Sequence, residues 1–250
     1  MHKLSVLTAL KNYGNIHLIT TQRGKDFLGD IPYTSIELYE EELPHDLKDT
    51  RSLSKVYAYQ QIAKKGRPFF HIDYDVFLFS RLAKEFEEAQ ILVQHIEKGK
   101  SFRYYHPDIF FENCTNHYLA DRKIDRASNM GIFGGRALGV IESYSEEAIR
   151  LLNDDENKVG YWKKPNLKIS HATKSVILEQ WYLNCCLDKF GVEITPLLTS
   201  SHIDQEATEK GYCHLWGDKS KPQVHQKIRD KIELLESIDY SLSKNSGINK

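Results

Sequence analysis

Cysteine, net charge and long apolar runs are all scarce in this sequence. Only four cysteines occur in 250 residues, and none forms a Cys-x-x-Cys pair, so neither a zinc ribbon nor a thioredoxin-type motif is present. The formal net charge of −1 creates no bulk field that would favour nucleic acid or an anionic membrane. No run approaches the ~18 apolar residues of a membrane span, and the N-terminus lacks the apolar core of a signal peptide. We therefore expect a cytoplasmic protein without a transmembrane segment or a nucleic-acid partner.

The order of the predicted elements indicates the α/β class. Through residue 79 the apolar spacing predicts a helix, a strand, a short helix with a turn, a strand, a helix and a strand, at 2–13, 15–20, 24–34, 35–39, 53–65 and 69–79. Such alternation favours a mostly parallel sheet covered by helices. No internal repeat and no clean linker divides the chain, so we expect a single domain over residues 1–250.

The second half of the chain has a more mixed pattern. It predicts helices at 81–90, 136–152, 175–190 and 223–237, and strands at 91–96, 130–135 and 192–198. The last of these strands is expected to stop near Pro196. The polar stretch 153–168 is predicted to be a loop, and the C-terminal end is expected to fray.

Asp73 and Asp75 are the most informative residues, because they interrupt the apolar run from Phe69 to Phe79. A buried carboxylate is costly unless it is paired or binds a metal. Ligands of α/β sheets gather at the carboxyl ends of strands, where these two acids would lie. Mg²⁺ and Mn²⁺ take carboxylate oxygens and often keep positions for substrate phosphates. The alternative stays open that the acids only cap a turn, since about one Asp-x-Asp is expected by chance.

Three later clusters carry polar groups of chemical interest. Gly131 and the paired glycines Gly134 and Gly135 allow close backbone approach, and Asn129 offers a donor and an acceptor. A crowded strand with a glycine turn is the alternative. Glu179 and Gln180 can grip sugar hydroxyls or form a solvated helix face. His214 could ligate a Mn²⁺-class ion, but a lone buried histidine is more often a core residue.

Two lysines follow His214 in the sequence. Lys219 and Lys221 could neutralise a leaving diphosphate as point charges. Lysine pairs are usually solvated, so this cluster gains weight only together with Asp73 and Asp75.

In this order, the clusters resemble metal-dependent glycosyltransferases of the GT-A fold. The layout is closest to glycosyltransferase family 8 and to unassigned bacterial proteins with a similar aspartate motif. By motif order the resemblance covers about residues 5–225. It implies a GT-A-like, Rossmann-type mixed sheet flanked by helices. The nucleotide and metal half would span about residues 1–100, and the donor-sugar and acceptor half about residues 101–240.

The resemblance also implies roles for individual residues. Mn²⁺ or Mg²⁺ on the donor diphosphate would be held by Asp73, Asp75 and His214. The groups implied to contact the nucleotide-sugar donor are Lys55, Asp73, Tyr74, Asn129, Gly131, Lys219 and Lys221. The pair implied to lie near the transferred sugar carbon is Glu179 and Gln180, and Glu179 is the best candidate for an acceptor base if the enzyme inverts.

The chain departs from the family pattern in two places. The family usually shows His-x-x-Gly-x-x-Lys-Pro, but here Lys219 comes one position early and Lys221 one position late. A GT-A domain also opens with a strand whose following loop holds the nucleotide base. This chain begins on the next helix, so we expect that the strand is missing or that Met1 to Leu4 substitutes for it.

The main hypothesis is therefore transfer of a sugar from a nucleotide-diphospho-sugar, such as a UDP-sugar, to a glycan, lipid-linked or other acceptor. Peripheral association with a membrane stays open. One alternative is a metal-dependent nucleotidyl- or phosphotransferase, for which Asp108 or Glu112 would have to supply a third acid. The other is a truncated, non-catalytic protein that binds sugar nucleotides or carbohydrate.

Overall fold

The computed structural model describes residues 1–39, 51–99, 102–105, 107–153, 176–215, 221–226 and 228–229. These residues form interspersed helices and strands with both parallel and antiparallel pairing, which confirms a mixed α/β fold. None of the described helices is long and apolar enough to cross a membrane.

Helices and strands follow one another as the alternation predicts through the first third of the chain. The helices are α1 His2–Tyr13, α2 Gln22–Leu28, α3 Arg51–Lys64, α4 Lys84–Glu87, α5 Pro107–Asn113, α6 Leu138–Asn153, α7 Tyr182–Phe190 and α8 Ile203–Glu209. A 3₁₀ helix spans Phe102–Tyr105, and a π-helix spans Ile177–Trp181. The strands are β1 His17–Thr20, β2 Ser35–Leu38, β3 Phe69–Ile72, β4 Val76–Leu78, β5 Ile91–Lys98, β6 Arg126–Gly135, β7 Ile194–Leu198 and β8 Tyr212–His214.

Strand pairing is less parallel than the alternation suggests. In the four-stranded sheet the order is β3-β6-β5-β7; β6 runs antiparallel to both β3 and β5, and only the β5–β7 pair is parallel. The two-stranded β1–β2 sheet is parallel, and the β4–β8 sheet is antiparallel. The prediction of a mostly parallel sheet is therefore wrong. Helix–strand alternation predicts the order of strands along the sequence, but not their order or direction in the sheet. Here β6 lies between β3 and β5, which both precede it in the sequence.

Several predicted boundaries also differ from the observed elements. The helix predicted over 81–90 is reduced to the four residues of α4, and β6 begins before the predicted strand 130–135. The strand near the C-terminus does not stop at Pro196, because β7 continues through it to Leu198. Proline is tolerated there since, among the described strands, β7 lies at the edge of its sheet and pairs with β5 alone.

Glycine permits the close pairing of β3 with β6. Gly134 has a φ of 154°, and a Cβ built on it would collide with the carbonyl oxygen of Phe69 in β3. The adjacent Gly135 has a φ of 135°, and a Cβ there would collide with the carbonyl oxygen of Gln90. The sequence-based expectation that paired glycines allow close backbone approach is confirmed at this position.

The residues group into two compact units, each made of separate segments. Unit 1 comprises residues 1–39, 73–82 and 202–250, and unit 2 comprises residues 40–72 and 83–201. Unit 1 thus contains β4, β8 and both aspartates, whereas unit 2 contains the four-stranded sheet. The expectation of one functional domain, with its halves meeting at about residue 100, stays a prediction.

Each unit has its own apolar interior. In unit 2, α3, α6 and the π-helix enclose fully buried aromatic side chains such as Tyr59, Tyr144 and Trp181. In unit 1, Leu4 of α1 packs with Phe77 of β4 and with Ile228. Asn12 Nδ2 also donates a hydrogen bond of 2.8 Å to the carbonyl oxygen of Leu78. Helix α1 is thereby fixed against the strand that follows the two aspartates.

Some predictions fall on residues outside the described ranges. They are most of the loop predicted over 153–168, the later part of the helix predicted over 223–237, the C-terminal end, and Lys219.

Candidate metal centre

Asp73 and Asp75 lie in a tight turn between β3 and β4. Strand β3 ends at Ile72, and the Val76 N–H that begins β4 donates a 3.0 Å hydrogen bond to the carbonyl oxygen of Asp73. The two acids therefore follow a strand directly, as predicted.

Strand β8 carries His214 to the same place. In the antiparallel β4–β8 pair Val76 lies opposite His214, and the Leu215 N–H donates a 3.1 Å hydrogen bond to the carbonyl oxygen of Asp75. The backbone ladder thus fixes the histidine next to the second aspartate. The sequence pattern gave no element for this segment, since three residues are too few for a clear alternation.

Asp73, Asp75 and His214 form a compact cluster of potential ligands. One ligand atom from each side chain can be chosen so that all three lie within 4.8 Å of one another. His214 Nε2 lies 3.5 Å from Asp75 Oδ1, and only 7% of the His214 side chain and 1% of the Asp75 side chain are exposed. Two carboxylates and an imidazole suit a Mn²⁺-class ion, and a cation would offset the cost of burying Asp75. The chemistry of this donor set therefore fits a divalent metal.

Helix α1 packs its first turn against the aspartate turn. The imidazole of His2 stacks on the Tyr74 ring, with centroids 4.5 Å apart and an angle of 17° between the planes. Ser5 Oγ donates a 3.4 Å hydrogen bond to the carbonyl oxygen of Asp73. Burial and the nearby N-terminal amino group lower the pKa of His2, and Asp75 acts in the opposite direction. The sequence gave no signal for His2, because its partner lies on a distant segment.

The structure also bears on the N-terminal residues and on two further residues predicted to contact the donor. Met1 to Leu4 does not replace the expected opening strand, because α1 already begins at His2; that alternative is wrong. Tyr74 is 38% exposed beside the cluster, and Lys221 is exposed at the start of the helical segment 222–226.

Unit 2 contains Lys55, Asn129, Gly131, Glu179 and Gln180. Lys55 and Glu179 form a partly buried ion pair. Lys55 Nζ of α3 lies 3.3 Å from Glu179 Oε1 of the π-helix, with 28% and 2% of the two side chains exposed. The alternative of a solvated helix face is therefore wrong for Glu179. Tyr144 Oη donates a 2.7 Å hydrogen bond to the backbone carbonyl of Glu179, and burial, assisted by the Glu179 charge, raises the pKa of Tyr144 well above its usual value. π-Helical turns are frequent at functional sites.

Gln180 and Asn129 belong to a second polar arrangement, which we call the Glu97 network. It consists of His95, Glu97, Tyr105, Asn129 and Gln180. Asn129 Oδ1 also accepts a 3.1 Å hydrogen bond from the Gly131 N–H, so these two predicted residues are in contact. Sequence reasoning missed the other three members. The predicted strand 91–96 contained His95 but ended before Glu97, and nothing local marked Tyr105 as their partner.

Comparison with protein-family models gives a match over nearly the whole chain. The model of a family of unknown function, DUF6734, matches residues 1–241 of the chain. The chain belongs to DUF6734. A search of curated proteins found no match for this DUF6734 member. Family membership therefore assigns no activity, and the geometry of the two units has to carry the functional argument.

Proposed function

We propose that the chain is a metal-dependent glycosyltransferase with a GT-A-like fold that uses a nucleotide-diphospho-sugar, such as a UDP-sugar, as donor. The observation that carries the proposal is the Asp73–Asp75–His214 cluster, which groups two carboxylates and an imidazole directly after a strand. The mixed α/β fold is compatible with this class, and so is the order of the clusters along the sequence.

The proposed role of the cluster is to hold Mn²⁺ or Mg²⁺ against the donor diphosphate. Such an ion supplies Lewis-acid stabilisation of the departing diphosphate. Asp73 and Asp75 contribute the negative charge that binds the cation, and His214 is kept in register by the β4–β8 ladder. Lys221, together with Lys219, is proposed to add positive charge for the leaving group.

The proposed roles in unit 2 concern the sugar. Asn129 and Gly131 would contact the transferred sugar, and Gln180 would lie near its reacting carbon. Glu179 is fully paired with Lys55 and almost completely buried, which favours a role in orienting Lys55 over direct proton abstraction from an acceptor. This arrangement agrees better with a reaction in which the leaving phosphate accepts the proton than with one that uses Glu179 as base.

A nucleotidyl- or phosphotransferase receives less support from the structure. Two-metal sites of such enzymes need further carboxylates close to the first pair. Among the described residues, the group built around Asp73 and Asp75 adds a histidine and no third acid. The Asp108 carboxylate is exposed and pairs instead with Arg122 at 3.0 Å.

Calorimetric titration with UDP and Mn²⁺ tests the proposal. We expect metal-dependent binding by the unchanged chain, loss of that binding in Asp75→Asn, and full retention in Asp26→Asn. Asp26 is the matched control, because it is exposed in unit 1 and accepts a hydrogen bond from Gln22. Binding that survives in Asp75→Asn would contradict the metal assignment.

Product analysis distinguishes sugar transfer from nucleotidyl transfer and from non-catalytic binding. Incubation with UDP-sugars and Mn²⁺ should release UDP, the product of sugar transfer or donor hydrolysis. Release of pyrophosphate would instead indicate nucleotidyl transfer. UDP binding without any turnover over a panel of donors would favour the non-catalytic alternative.

A further inference from the structure

Glu97 lies on β5 in unit 2, beyond an irregularity in the pairing of β5 with β6. Between Val93 and His95 the register of β5 against β6 shifts, and beyond the shift His95 lies opposite Asn129. Irregularities of this kind re-aim side chains and are frequent next to functional sites. His95 and Glu97 are two residues apart on β5, so alternation places them on one face together.

Three side chains hold the Glu97 carboxylate. Tyr105 Oη donates a hydrogen bond of 2.8 Å to Oε2, Asn129 Nδ2 donates one of 3.4 Å to Oε1, and His95 Nε2 lies 3.4 Å from Oε1. The Glu97 side chain is still 19% exposed. A carboxylate has about four lone-pair positions, and two of its three contacts here are long. The group therefore retains capacity to accept hydrogen bonds from a ligand.

The ionisation of Glu97 favours binding over proton abstraction. Burial by itself would raise the pKa of Glu97, but hydrogen bonds from His95, Tyr105 and Asn129, together with the electrostatic attraction of His95, outweigh it and lower the pKa. A base with a lowered pKa accepts a proton poorly near neutral pH. The same carboxylate is a strong hydrogen-bond acceptor, because charge-assisted bonds to hydroxyl groups are short and strong.

Tyr105 connects Glu97 to Gln180. Its hydroxyl oxygen lies 2.8 Å from Glu97 Oε2 and 2.5 Å from Gln180 Oε1. A hydroxyl has one proton, so Tyr105 donates to only one of these two oxygens at a time. Because Gln180 Oε1 faces Tyr105, the Gln180 NH₂ group is directed away from Tyr105 and can donate to a ligand.

The charge of the network selects the type of ligand. Among the described residues that hold Glu97, only His95 can carry a positive charge. An anionic ligand would be repelled by the carboxylate, whereas a neutral ligand with several hydroxyl groups could donate to Glu97 and accept from the Gln180 NH₂ group. An acceptor and a donor in a fixed arrangement suit the hydroxyl groups of a sugar ring, since each hydroxyl can both donate and accept.

We propose that the Glu97 network binds the acceptor of the transfer, and that this acceptor is a neutral saccharide. The word acceptor rests on the proposed function, in which Asn129 and Gln180 also face the donor sugar. The saccharide contact at Glu97 does not rest on it, because the network includes none of the three candidate metal ligands. Saccharide binding is therefore expected without metal or nucleotide.

Saturation-transfer NMR with three neutral probes tests this site. The probes are the methyl glycosides of glucose, galactose and mannose, offered to the full chain without metal or nucleotide. At least one should bind saturably. In Glu97→Gln its affinity should fall by about tenfold or more, the loss expected for a hydrogen bond to a charged group. Tyr105→Phe should also weaken binding, because it removes the hydrogen bond that positions the Glu97 carboxylate, and it serves if Glu97→Gln does not fold.

Glu146→Gln is the matched control. Its carboxylate is exposed in unit 2 and faces Lys64 at 3.7 Å, so the same substitution there should leave glycoside affinity unchanged. Absence of binding by all three probes, or equal binding by the unchanged chain and by folded Glu97→Gln, would overturn the proposal.

Asp75→Asn separates this inference from the proposed function. Glycoside binding should persist in Asp75→Asn, while UDP–Mn²⁺ binding disappears. UDP–Mn²⁺ binding without glycoside binding would overturn the acceptor site and leave the transferase proposal standing. Glu97-dependent glycoside binding without UDP–Mn²⁺ binding would overturn the transferase proposal and leave a saccharide site.

Discussion

His214 Nε2 lies 3.5 Å from Asp75 Oδ1, in a pair that is almost completely shielded from solvent. The distance results from strand pairing, since β8 places His214 opposite Val76, the residue that follows Asp75. A buried carboxylate beside an imidazole, with Asp73 completing the group, is stable when a cation or a proton balances the charge. Metal binding is the balance that we propose.

Replacement of His214 should weaken metal binding without abolishing the fold. In His214→Ala we expect the affinity for Mn²⁺ to fall at least about tenfold, because even supporting residues of metal sites contribute that much. Electron paramagnetic resonance of free Mn²⁺ measures the affinity directly, without nucleotide. His17→Ala is the control, since His17 is exposed in unit 1 and contacts Ser35 at 2.7 Å. Equal affinities in the two variants would argue against His214 as a ligand.

The Lys55–Glu179 pair should stabilise unit 2. Lys55→Met leaves the buried Glu179 carboxylate without its partner, so we expect the free energy of unfolding to decrease by about 1–3 kcal/mol, less than for a fully buried pair because Lys55 is partly exposed. Lys64→Met, in the same helix, removes an exposed pair with Glu146 and should change stability by less than about 1 kcal/mol. Urea denaturation compares the two.

A double variant tests the cause of that loss. Adding Glu179→Gln to Lys55→Met removes the unpaired charge, so part of the lost stability should return. A double variant that is no more stable than Lys55→Met would attribute the loss to packing of the lysine side chain instead.

Two glycines should respond oppositely to alanine. Gly134→Ala forces a Cβ against the carbonyl oxygen of Phe69 at a φ of 154°, so β3 and β6 must separate and the chain should lose about 2 kcal/mol or more. Gly139→Ala meets nothing within 4 Å in α6 and should be neutral or stabilising by up to about 1 kcal/mol. Thermal unfolding distinguishes these outcomes, and equal melting temperatures would contradict the strand contact.

Glu97 should make stability depend on pH on the acidic side. Its folded-state pKa is lowered relative to the unfolded value of 4.5, so the ionised group contributes stability at every pH above 4.5. That contribution disappears as the pH falls through the lower folded pKa, because the folded state must then be protonated against its three hydrogen-bond partners. In Glu97→Gln the free energy of unfolding should change less between neutral pH and the acid range. An identical acid dependence in both proteins would contradict the lowered pKa.

Local elements were largely predictable from residue patterns. Helix α1 ends as expected at Gly14, which adopts a φ of 76° while its N–H donates to the carbonyl oxygen of Leu10. The strand before the aspartates and the approach of the paired glycines were also predictable. In each case the signal is local, because it comes from apolar spacing or from the conformational freedom of a single residue.

The candidate sites were only partly predictable. Residue chemistry marked Asp73 and Asp75, but it left His214 as an ordinary core histidine until a family resemblance grouped the three. Glu97 and Tyr105 carried no signal, because polar residues on a strand and a short helix are common on protein surfaces. Their significance depends on the hydrogen bonds that join β5, the 3₁₀ helix and the π-helix.

The sequence by itself determined where most helices and strands form and that two carboxylates would follow a strand. Only the tertiary structure decided that β6 runs antiparallel between β3 and β5, and that β8 lies beside β4 with His214 next to Asp75. The physical reason is that backbone preference and side-chain alternation are local properties. Strand order, strand direction and the meeting of distant side chains depend on burying all apolar surfaces together, which no short segment encodes alone.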